Sequence, residues 1–161
     1  MKALELKIPP LIVMAVAGLI ALAVAIPLAE ESGVLLFSDP ALLSASVVAL
    51  ILGAYVAVSG VVEFRKHQTT VNPMQADDAS SLVTTGIYQK TRNPMYVGFV
   101  LILASWCLAL GVMQTLWVLP VFALYINELQ IKPEEKILVE KFPQEFAAYT
   151  ENVGRWWGRS V

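Results

Sequence analysis

The chain has 161 residues, of which 57% are hydrophobic and 15% are charged, and its mean hydropathy of +0.66 exceeds that of an ordinary soluble domain. The net charge of -2 is too small to indicate a nucleic-acid partner. The single cysteine, Cys107, excludes an intramolecular disulfide and a cysteine-only metal site. From the length and the hydropathy we expect one membrane-embedded domain over residues 1–161.

Two apolar runs in the first half of the chain are long enough to cross a membrane. Residues 10–28 carry no charge and would form about 28 Å of helix, against a hydrocarbon core of about 30 Å. We interpret this run as a retained helix rather than a signal peptide, because it lacks a small-residue cleavage site before a soluble domain. Asp39 and Pro40 then provide an N-cap and a first-turn proline for a second span over residues 40–62.

A polar segment and a longer apolar run follow the second span. Residues 63–93 are rich in turn formers and lack a helical period, and a loop of this length usually has a function. Residues 94–127 carry no charge and as one helix would extend about 51 Å, which exceeds the membrane core by about 20 Å. We therefore predict a helical hairpin that turns near Gly111, with spans over residues 94–110 and 112–127.

The positions of lysine and arginine indicate which side of the membrane each loop faces. Basic residues occur before the first span, in the 63–93 loop and in the C-terminal tail: Lys2, Lys7, Arg65, Lys66, Lys90, Arg92, Lys132, Lys136, Lys141, Arg155 and Arg159. The loop between the first two spans has none. Because lysine and arginine accumulate on the cytoplasmic side, four crossings place both termini and the long loop in the cytoplasm. We expect the protein to lie in a bacterial-type inner membrane.

The predicted fold is therefore all-α, an integral membrane helical bundle with four transmembrane crossings, two single spans plus a hairpin, and a cytoplasmic C-terminal helical tail. The tail is predicted to form two short helices within residues 133–151. Pro133 and Pro143 each suit a first helical turn, and Pro143 would break one continuous helix.

Arg92, Asn93 and Pro94 precede the third span, and Glu134 and Glu135 follow the fourth. Each set has an ordinary explanation. Asn93 suits an N-cap, Pro94 a first helical residue and Arg92 a cytoplasmic position, while acids in a first turn complement the helix dipole. Together, however, the two sets place opposite charges next to two membrane entry points on one face. We therefore predict a polar pocket for a zwitterionic or cationic water-soluble cofactor, which a lipophilic partner reaches through the bilayer.

Two stretches of the chain carry a more specific pattern. LVTTGIYQKTRNPMYVG, followed about thirty-five residues later by PEEKILVEKFPQEFAAYTENVGRW, resembles the C-terminal half of the isoprenylcysteine carboxyl methyltransferase and phospholipid methyltransferase superfamily of integral membrane enzymes. The shared pattern is Gly-x-Tyr, then Arg-His-Pro or Arg-Asn-Pro with Tyr and Gly, a helical hairpin, and a Glu-Glu helix. The resemblance extends over residues 69–157.

This resemblance implies an enzyme that transfers a methyl group from S-adenosylmethionine to a lipophilic acceptor. The implied catalytic residues are Arg92, Asn93 and Glu135. The implied cofactor-binding residues form two walls, one from the loop and the start of the third span and one from the acidic pair: Gly86, Tyr88, Arg92, Asn93, Pro94, Tyr96 and Gly98, with Glu134 and Glu135. Carboxylates suit ribose hydroxyls, an ammonium or a sulfonium, and tyrosine rings suit a cation.

The chain departs from the superfamily pattern at two places. It has Asn93 where the prenylcysteine enzymes typically carry histidine, which weakens prenylcysteine as the substrate, and Phe142 is followed by proline instead of the usual glycine. The acceptor stays open among a carboxylate, an amine and a thiol. A carboxylate acceptor needs no base, whereas an amine or a thiol must lose a proton, and Glu135, Glu128 and His67 are the candidate bases.

Two other functions are compatible with these features. Sterol reductases resemble the superfamily in their C-terminal region, which suggests a nicotinamide-dependent membrane reductase, although those chains are usually much longer. In a non-catalytic scaffold or transporter subunit, Arg92 and Glu135 would form only interfacial ion pairs. We expect neither a metal nor a nucleic-acid partner.

Overall fold

The computed structural model describes residues 6–67 and 81–159. Within these ranges the chain is helical and contains no strand, which confirms the predicted all-α class for that part. The elements are α1 (Pro10–Ser32), α2 (Pro40–Lys66), a 3-10 helix (Gly86–Gln89), α3 (Pro94–Leu110), a second 3-10 helix (Met113–Trp117), α4 (Val118–Ile126), a π-helical turn (Asn127–Ile131), α5 (Lys132–Lys141) and α6 (Pro143–Asn152). Lys2 and residues 68–80 of the predicted cofactor loop lie outside the described residues.

α1 and α2 are the two described helices that are long and apolar enough to cross a membrane. Large apolar side chains cover their outward faces, with Leu19 66% exposed and Ile51 62% exposed. Such a surface suits lipid and would be unfavourable in water. The helices end later than predicted, at Ser32 and Lys66, and the 17 residues of α3 extend about 25 Å. The number of four crossings stays a prediction.

Local sequence determines where several helices begin and end. The Asp39 carboxylate accepts hydrogen bonds from the backbone N–H groups of Ala41 and Leu42, at 2.8 and 3.1 Å, which confirms the predicted N-cap of α2. Gly33 follows the last residue of α1 and caps the helix, with a φ of 70° in the left-handed region that favours glycine. The predicted break at Pro143 is also confirmed, because α5 ends at Lys141 and Pro143 begins α6.

A line of alanines joins α1 to the rest of the bundle. Ala17, Ala21, Ala25 and Ala29 recur at every fourth position and are buried, which places them on one face of the helix. They belong to two buried apolar clusters that include side chains of α3 and α4. Small side chains let two helices approach closely, as is common in membrane proteins.

α2 and α3 approach most closely where two glycines face each other. A Cβ atom added to Gly98 would lie 2.6 Å from the backbone oxygen of Gly53 and 2.7 Å from the Cβ of Ala57. A Cβ atom added to Gly53 would lie 2.8 Å from the Gly98 oxygen. The backbones touch here, and this contact sets where the start of α3 stands relative to α2.

The predicted hairpin is correct at its turn and wrong in its second leg. α3 ends at Gly111, which has a left-handed φ of 73°, so the chain reverses where predicted. Residues 112–127 do not form one α-helix, however. A 3-10 helix occupies Met113–Trp117, and α4 begins only at Val118. The helix also continues beyond residue 127, through the π-helical turn and directly into α5.

The π-helical turn before Pro133 lets the chain continue from α4 into α5 without a break. Proline has no N–H to donate, and its ring crowds the carbonyl four residues earlier, which here belongs to Leu129. That carbonyl accepts instead from the backbone N–H of Leu6, at 3.1 Å. The Gln130 side chain donates to the Ile8 carbonyl at 2.8 Å. The π-helical turn therefore accommodates the proline. Two hydrogen bonds join the N-terminal segment to this turn.

Candidate functional site

Two arginines from distant parts of the chain converge on one glutamate. Arg92 Nη2 donates to Glu135 Oε1 at 2.9 Å, and Arg155 binds the same carboxylate through Nε at 3.0 Å and Nη2 at 2.6 Å. The remaining Arg155 Nη1 donates to Asn127 Oδ1 at 3.2 Å. The side chains of Arg92 and Glu135 are only 11% and 16% exposed. We call Arg92, Glu135 and Arg155 the arginine–glutamate cluster.

The C-terminal segment runs beside the loop that precedes α3 and completes this cluster. The backbone N–H of Arg92 donates to the Gly154 carbonyl at 3.1 Å, and Arg92 Nη1 donates to the Val153 carbonyl at 3.2 Å. Further along, the N–H of Gly158 donates to the Lys90 carbonyl at 2.8 Å. The loop before the third span, the acidic turn and the tail therefore meet in one place.

Asn93 does not cap α3, which corrects the ordinary explanation of this residue. Its side chain makes no capping bond and instead donates from Nδ2 to the Arg155 carbonyl at 3.0 Å. Thr91 Oγ1 accepts from the Asn93 backbone N–H at 3.0 Å and donates to the same Arg155 carbonyl at 3.4 Å. Asn93 therefore holds the backbone of Arg155 in place, and the side chain is committed to a tertiary contact.

Glu134 lies in a different environment from its neighbour Glu135. The Tyr96 hydroxyl, from the first turn of α3, donates to Glu134 Oε1. The pKa of the Glu134 carboxyl is raised to about 8, mainly by burial; the hydrogen bond from Tyr96 acts in the opposite direction, and the nearby Glu135 charge adds to the rise. Burial raises the pKa of the Tyr88 phenol, and the charges of Tyr149 and Glu134 raise it further.

Three of the predicted cofactor-binding residues contact α2. A Cβ atom added to Gly98 would clash with the α2 backbone, and one added to Gly86, whose φ is 59°, would lie 2.6 Å from the Glu63 carboxyl carbon. Pro94 packs against Gly60, where an added Cβ would lie 2.9 Å from its ring. The structure thus gives Gly86, Pro94 and Gly98 a packing role, and a direct cofactor contact for them stays a prediction.

Two of the candidate bases lie outside the arginine–glutamate cluster. Glu128 forms an exposed ion pair with Lys132 at 2.6 Å and accepts from Asn127 Nδ2 at 2.9 Å. The His67 ring nitrogen Nδ1 lies 2.9 Å from the Glu63 carbonyl at the end of α2. Asn127 links Glu128 to Arg155, because its Nδ2 donates to Glu128 and its Oδ1 accepts from Arg155. Among the described residues, no contact brings the His67 side chain to Glu134 or to the cluster.

Three residues that contact the site, Thr91, Phe146 and Tyr149, were not predicted from the sequence. Thr91 is fully buried, and its spacing of two from Asn93 is typical of a local hydroxyl-to-backbone turn. The Phe146 ring lies 5.9 Å from the Arg92 guanidinium carbon. Tyr149 donates to the Tyr88 carbonyl at 2.7 Å. Nothing in the local sequence around Phe146 and Tyr149 indicates these contacts, because their partners lie more than fifty residues away in the chain.

The described residues fit a polar, positively charged nucleoside cofactor. Tyr88 Oη and Arg92 Nε are buried without a protein hydrogen-bond partner, and buried polar groups ordinarily have one. Carboxylates of Glu134 and Glu135 lie beside them and suit hydroxyl or cationic groups. Within residues 6–67 and 81–159, no group of three or more His, Cys, Asp or Glu side chains is arranged to hold a metal ion.

Comparison with known proteins places the chain in a family. The family model described as phospholipid methyltransferase matches residues 42–145. The chain is also 40% identical over 62 residues to an uncharacterized protein of Haemophilus influenzae, an alignment that covers 38% of this chain and 98% of that protein. Among solved structures, none matches the chain. The family match covers more than half of the chain, includes Arg92, Glu134 and Glu135, and confirms the superfamily resemblance, so the protein belongs to the phospholipid methyltransferase family.

Proposed function

We propose that the protein transfers a methyl group from S-adenosylmethionine to a lipophilic acceptor at the cytoplasmic face of a membrane. Family membership indicates a membrane methyltransferase that acts on a lipid-like substrate. The observation that carries the finer proposal is the arginine–glutamate cluster, which joins the loop before α3 to the acidic turn before α5. The four crossings, the cytoplasmic termini and an inner-membrane location belong to the same proposal.

S-adenosylmethionine supplies a methyl group on a positively charged sulfur, and the chain's own residues have to align it and exclude water. Glu134 and Glu135 provide negative charge for its cationic groups, and the Glu134 carboxylate provides an acceptor for a hydroxyl. Tyr88 Oη and Arg92 Nε provide buried donors that no described residue uses. Within the cluster, Glu135 acts through electrostatics and orientation, because guanidinium N–H groups already occupy both of its oxygens.

A groove beside α2 is an observation in favour of a lipophilic acceptor. It has a volume of about 710 Å³ and lies between α2 and the 86–90 segment, with Tyr55, Val58 and Val62 along its apolar part. Glu63 and Lys66 line its polar end. Acyl chains suit the apolar part and a polar headgroup suits the charged end, and the groove reaches Ile87, the residue before Tyr88.

Thermal unfolding of the detergent-solubilised protein tests the cofactor. A ligand that binds only the folded state at 100 times its Kd stabilises by about 2.7 kcal/mol, or about 5–10 °C for a chain of this size. We expect this shift with S-adenosylmethionine and S-adenosylhomocysteine and none with reduced nicotinamide adenine dinucleotide phosphate. A shift with the nicotinamide compound alone would indicate a reductase, and no shift with any of them would indicate a scaffold.

Two isosteric variants test the location of the site. Glu135→Gln removes the charge that both arginines bind, so we expect weaker stabilisation by S-adenosylhomocysteine. Glu140→Gln removes the charge of an exposed carboxylate further along α5 and should respond to the ligand as the wild type does. Equal ligand responses in Glu135→Gln and wild type would contradict the assignment.

A further inference from the structure

The last turn of α2 holds the segment that leads into the 86–89 helix. Glu63 Oε2 accepts a hydrogen bond from Thr85 Oγ1 at 2.9 Å, although the two residues lie 22 positions apart in the chain. The Glu63 side chain is only 12% exposed, and its other oxygen binds Lys66 Nζ at 2.7 Å. Glu63 therefore joins α2 to a segment that is not its neighbour in the sequence.

Gly86 allows the closest part of this approach. Its φ of 59° lies in the left-handed region, and an added Cβ atom would lie 2.6 Å from the Glu63 carboxyl carbon and 2.7 Å from Oε1. A side chain at this position would push the carboxylate away or displace the loop. The hydrogen bond from Thr85 and the contact with Gly86 thus place the start of the 86–89 helix against one carboxylate.

The segment that Glu63 holds carries Tyr88. The Tyr88 ring packs edge-on against Phe64, with the ring centroids 5.2 Å apart, and the Tyr88 carbonyl accepts from Tyr149 Oη at 2.7 Å. The Tyr88 hydroxyl is buried without a protein hydrogen-bond partner, so it can serve a ligand. Because Glu63 and Phe64 are consecutive residues, a single turn of α2 contacts both the start of the 86–89 helix and the Tyr88 ring.

We propose that Glu63 is a positioning residue for the methyl transfer, which holds Thr85 and Gly86 and so keeps the Tyr88 hydroxyl where it can donate to the cofactor. This inference rests on the proposed function. Glu63 acts through its hydrogen bond and does not itself touch the cofactor. It also lines the polar end of the groove beside α2, so the acceptor groove and the segment that carries Tyr88 share this side chain.

The affinity of the full chain for S-adenosylhomocysteine tests this role, measured by calorimetric titration in detergent well below the Tm of every variant. Thr85→Val removes the hydroxyl donor at nearly constant volume. We expect its Kd to rise by about 2- to 10-fold, the effect of one lost hydrogen bond. Thr85→Ser keeps the donor and should bind like the wild type. Wild-type affinity in Thr85→Val would overturn the proposal.

Variants of Glu63 separate its hydrogen bond from its charge. Glu63→Gln keeps a carbonyl oxygen that can accept from Thr85, so it should largely retain affinity, whereas Glu63→Ala should lose as much as Thr85→Val. Combining Glu63→Ala with Thr85→Val should cause no further loss, because both changes remove one contact. Equal losses in Glu63→Gln and Glu63→Ala, or additive losses in the double variant, would contradict a role through this bond.

Two backgrounds separate positioning from a general loss of stability. Trp106→Phe removes the 3.0 Å hydrogen bond from Trp106 Nε1 to the Gly18 carbonyl, between α3 and α1, and should lower Tm without changing affinity. In Tyr88→Phe the hydroxyl is absent, so adding Thr85→Val should then change affinity little. The proposal fails if Trp106→Phe weakens binding as much as Thr85→Val does, or if Thr85→Val has its full effect in the Tyr88→Phe background.

Failure of the proposed function has a different signature. The wild-type protein itself would then not bind S-adenosylhomocysteine, and the role of Glu63 would fail with it. Wild-type binding that the Thr85 and Glu63 variants share unchanged would overturn the role of Glu63 alone and leave the proposed function standing.

Discussion

Gly98→Ala separates a packing role from a cofactor role for Gly98. The added Cβ would lie 2.6 Å from the Gly53 oxygen and 2.7 Å from the Ala57 Cβ. The first of these is a backbone atom, so a side-chain rotation cannot relieve the contact and the two helices must separate. Overpacking of this kind costs about 1–3 kcal/mol, and the gain in helix propensity from glycine to alanine offsets up to about 1 kcal/mol of it.

The expected net loss is therefore up to about 2 kcal/mol, which corresponds to a fall in Tm of up to about 8 °C for a chain of this length. Thermal unfolding in one detergent, without ligand, measures it. Gly18→Ala is the matched control on α1, because its added Cβ would lie 3.7 Å from the Trp106 ring, an ordinary contact. We expect this control to match or exceed the wild-type Tm.

The same two variants should be titrated with S-adenosylhomocysteine. If Gly98 serves packing, Gly98→Ala should lose stability while the affinity of the folded protein changes little. An unchanged Tm together with a large loss of affinity for S-adenosylhomocysteine would refute this reasoning and indicate that Gly98 contacts the cofactor.

Three further predictions follow from the arginine–glutamate cluster, the Glu134 carboxyl and the proposed topology. Arg155→Lys keeps the charge but loses the bidentate contact with the Glu135 carboxylate, so both Tm and stabilisation by S-adenosylhomocysteine should fall. A ligand response equal to that of the wild type would argue against the cluster as the cofactor site. The pKa of the Glu134 carboxyl is about 8, above its ordinary value of 4.5, so its contribution to stability is present below pH 4.5 and is lost as the pH rises to 8. The decline should be at most about 1.4 kcal/mol per pH unit in urea unfolding, and Glu134→Gln should flatten it. In a Cys107→Ala background, an impermeant thiol reagent outside intact cells should label Ser38→Cys and not Glu140→Cys; the reverse pattern would invert the proposed topology.

The positions of helices and of their ends were predicted well where they depend on residues close together in the sequence. The charge-free runs located α1 and α2, and Asp39 marked the start of α2 because an N-cap acts within three residues. Gly111 marked the hairpin turn, and Pro143 marked the break between α5 and α6. In each case the cause and its effect lie within one helical turn.

Features that depend on long-range packing were not predicted from local pattern. The resemblance indicated that Arg92 and Glu135 share a site, and the structure brings them together. It did not indicate that Asn93 bonds the Arg155 backbone, since that partner lies 62 residues away. Nor does sequence alone assign different surroundings to Glu134 and Glu135, because only the positions of α3 and the tail distinguish two adjacent acids.

The π-helical turn sets the rotational phase of everything that follows it. A π turn holds one residue more than the corresponding α turn, and one residue advances later side chains by about 100° around the axis. The acids after α4 therefore face α3 and the tail in a register that an uninterrupted α-helix would not provide. Deleting one uncharged residue from Asn127–Ile131 would preserve net charge and the Pro-Glu-Glu motif, yet rotate both carboxylates away from their partners. Spacing across this turn is thus as much a part of the site as the acids themselves.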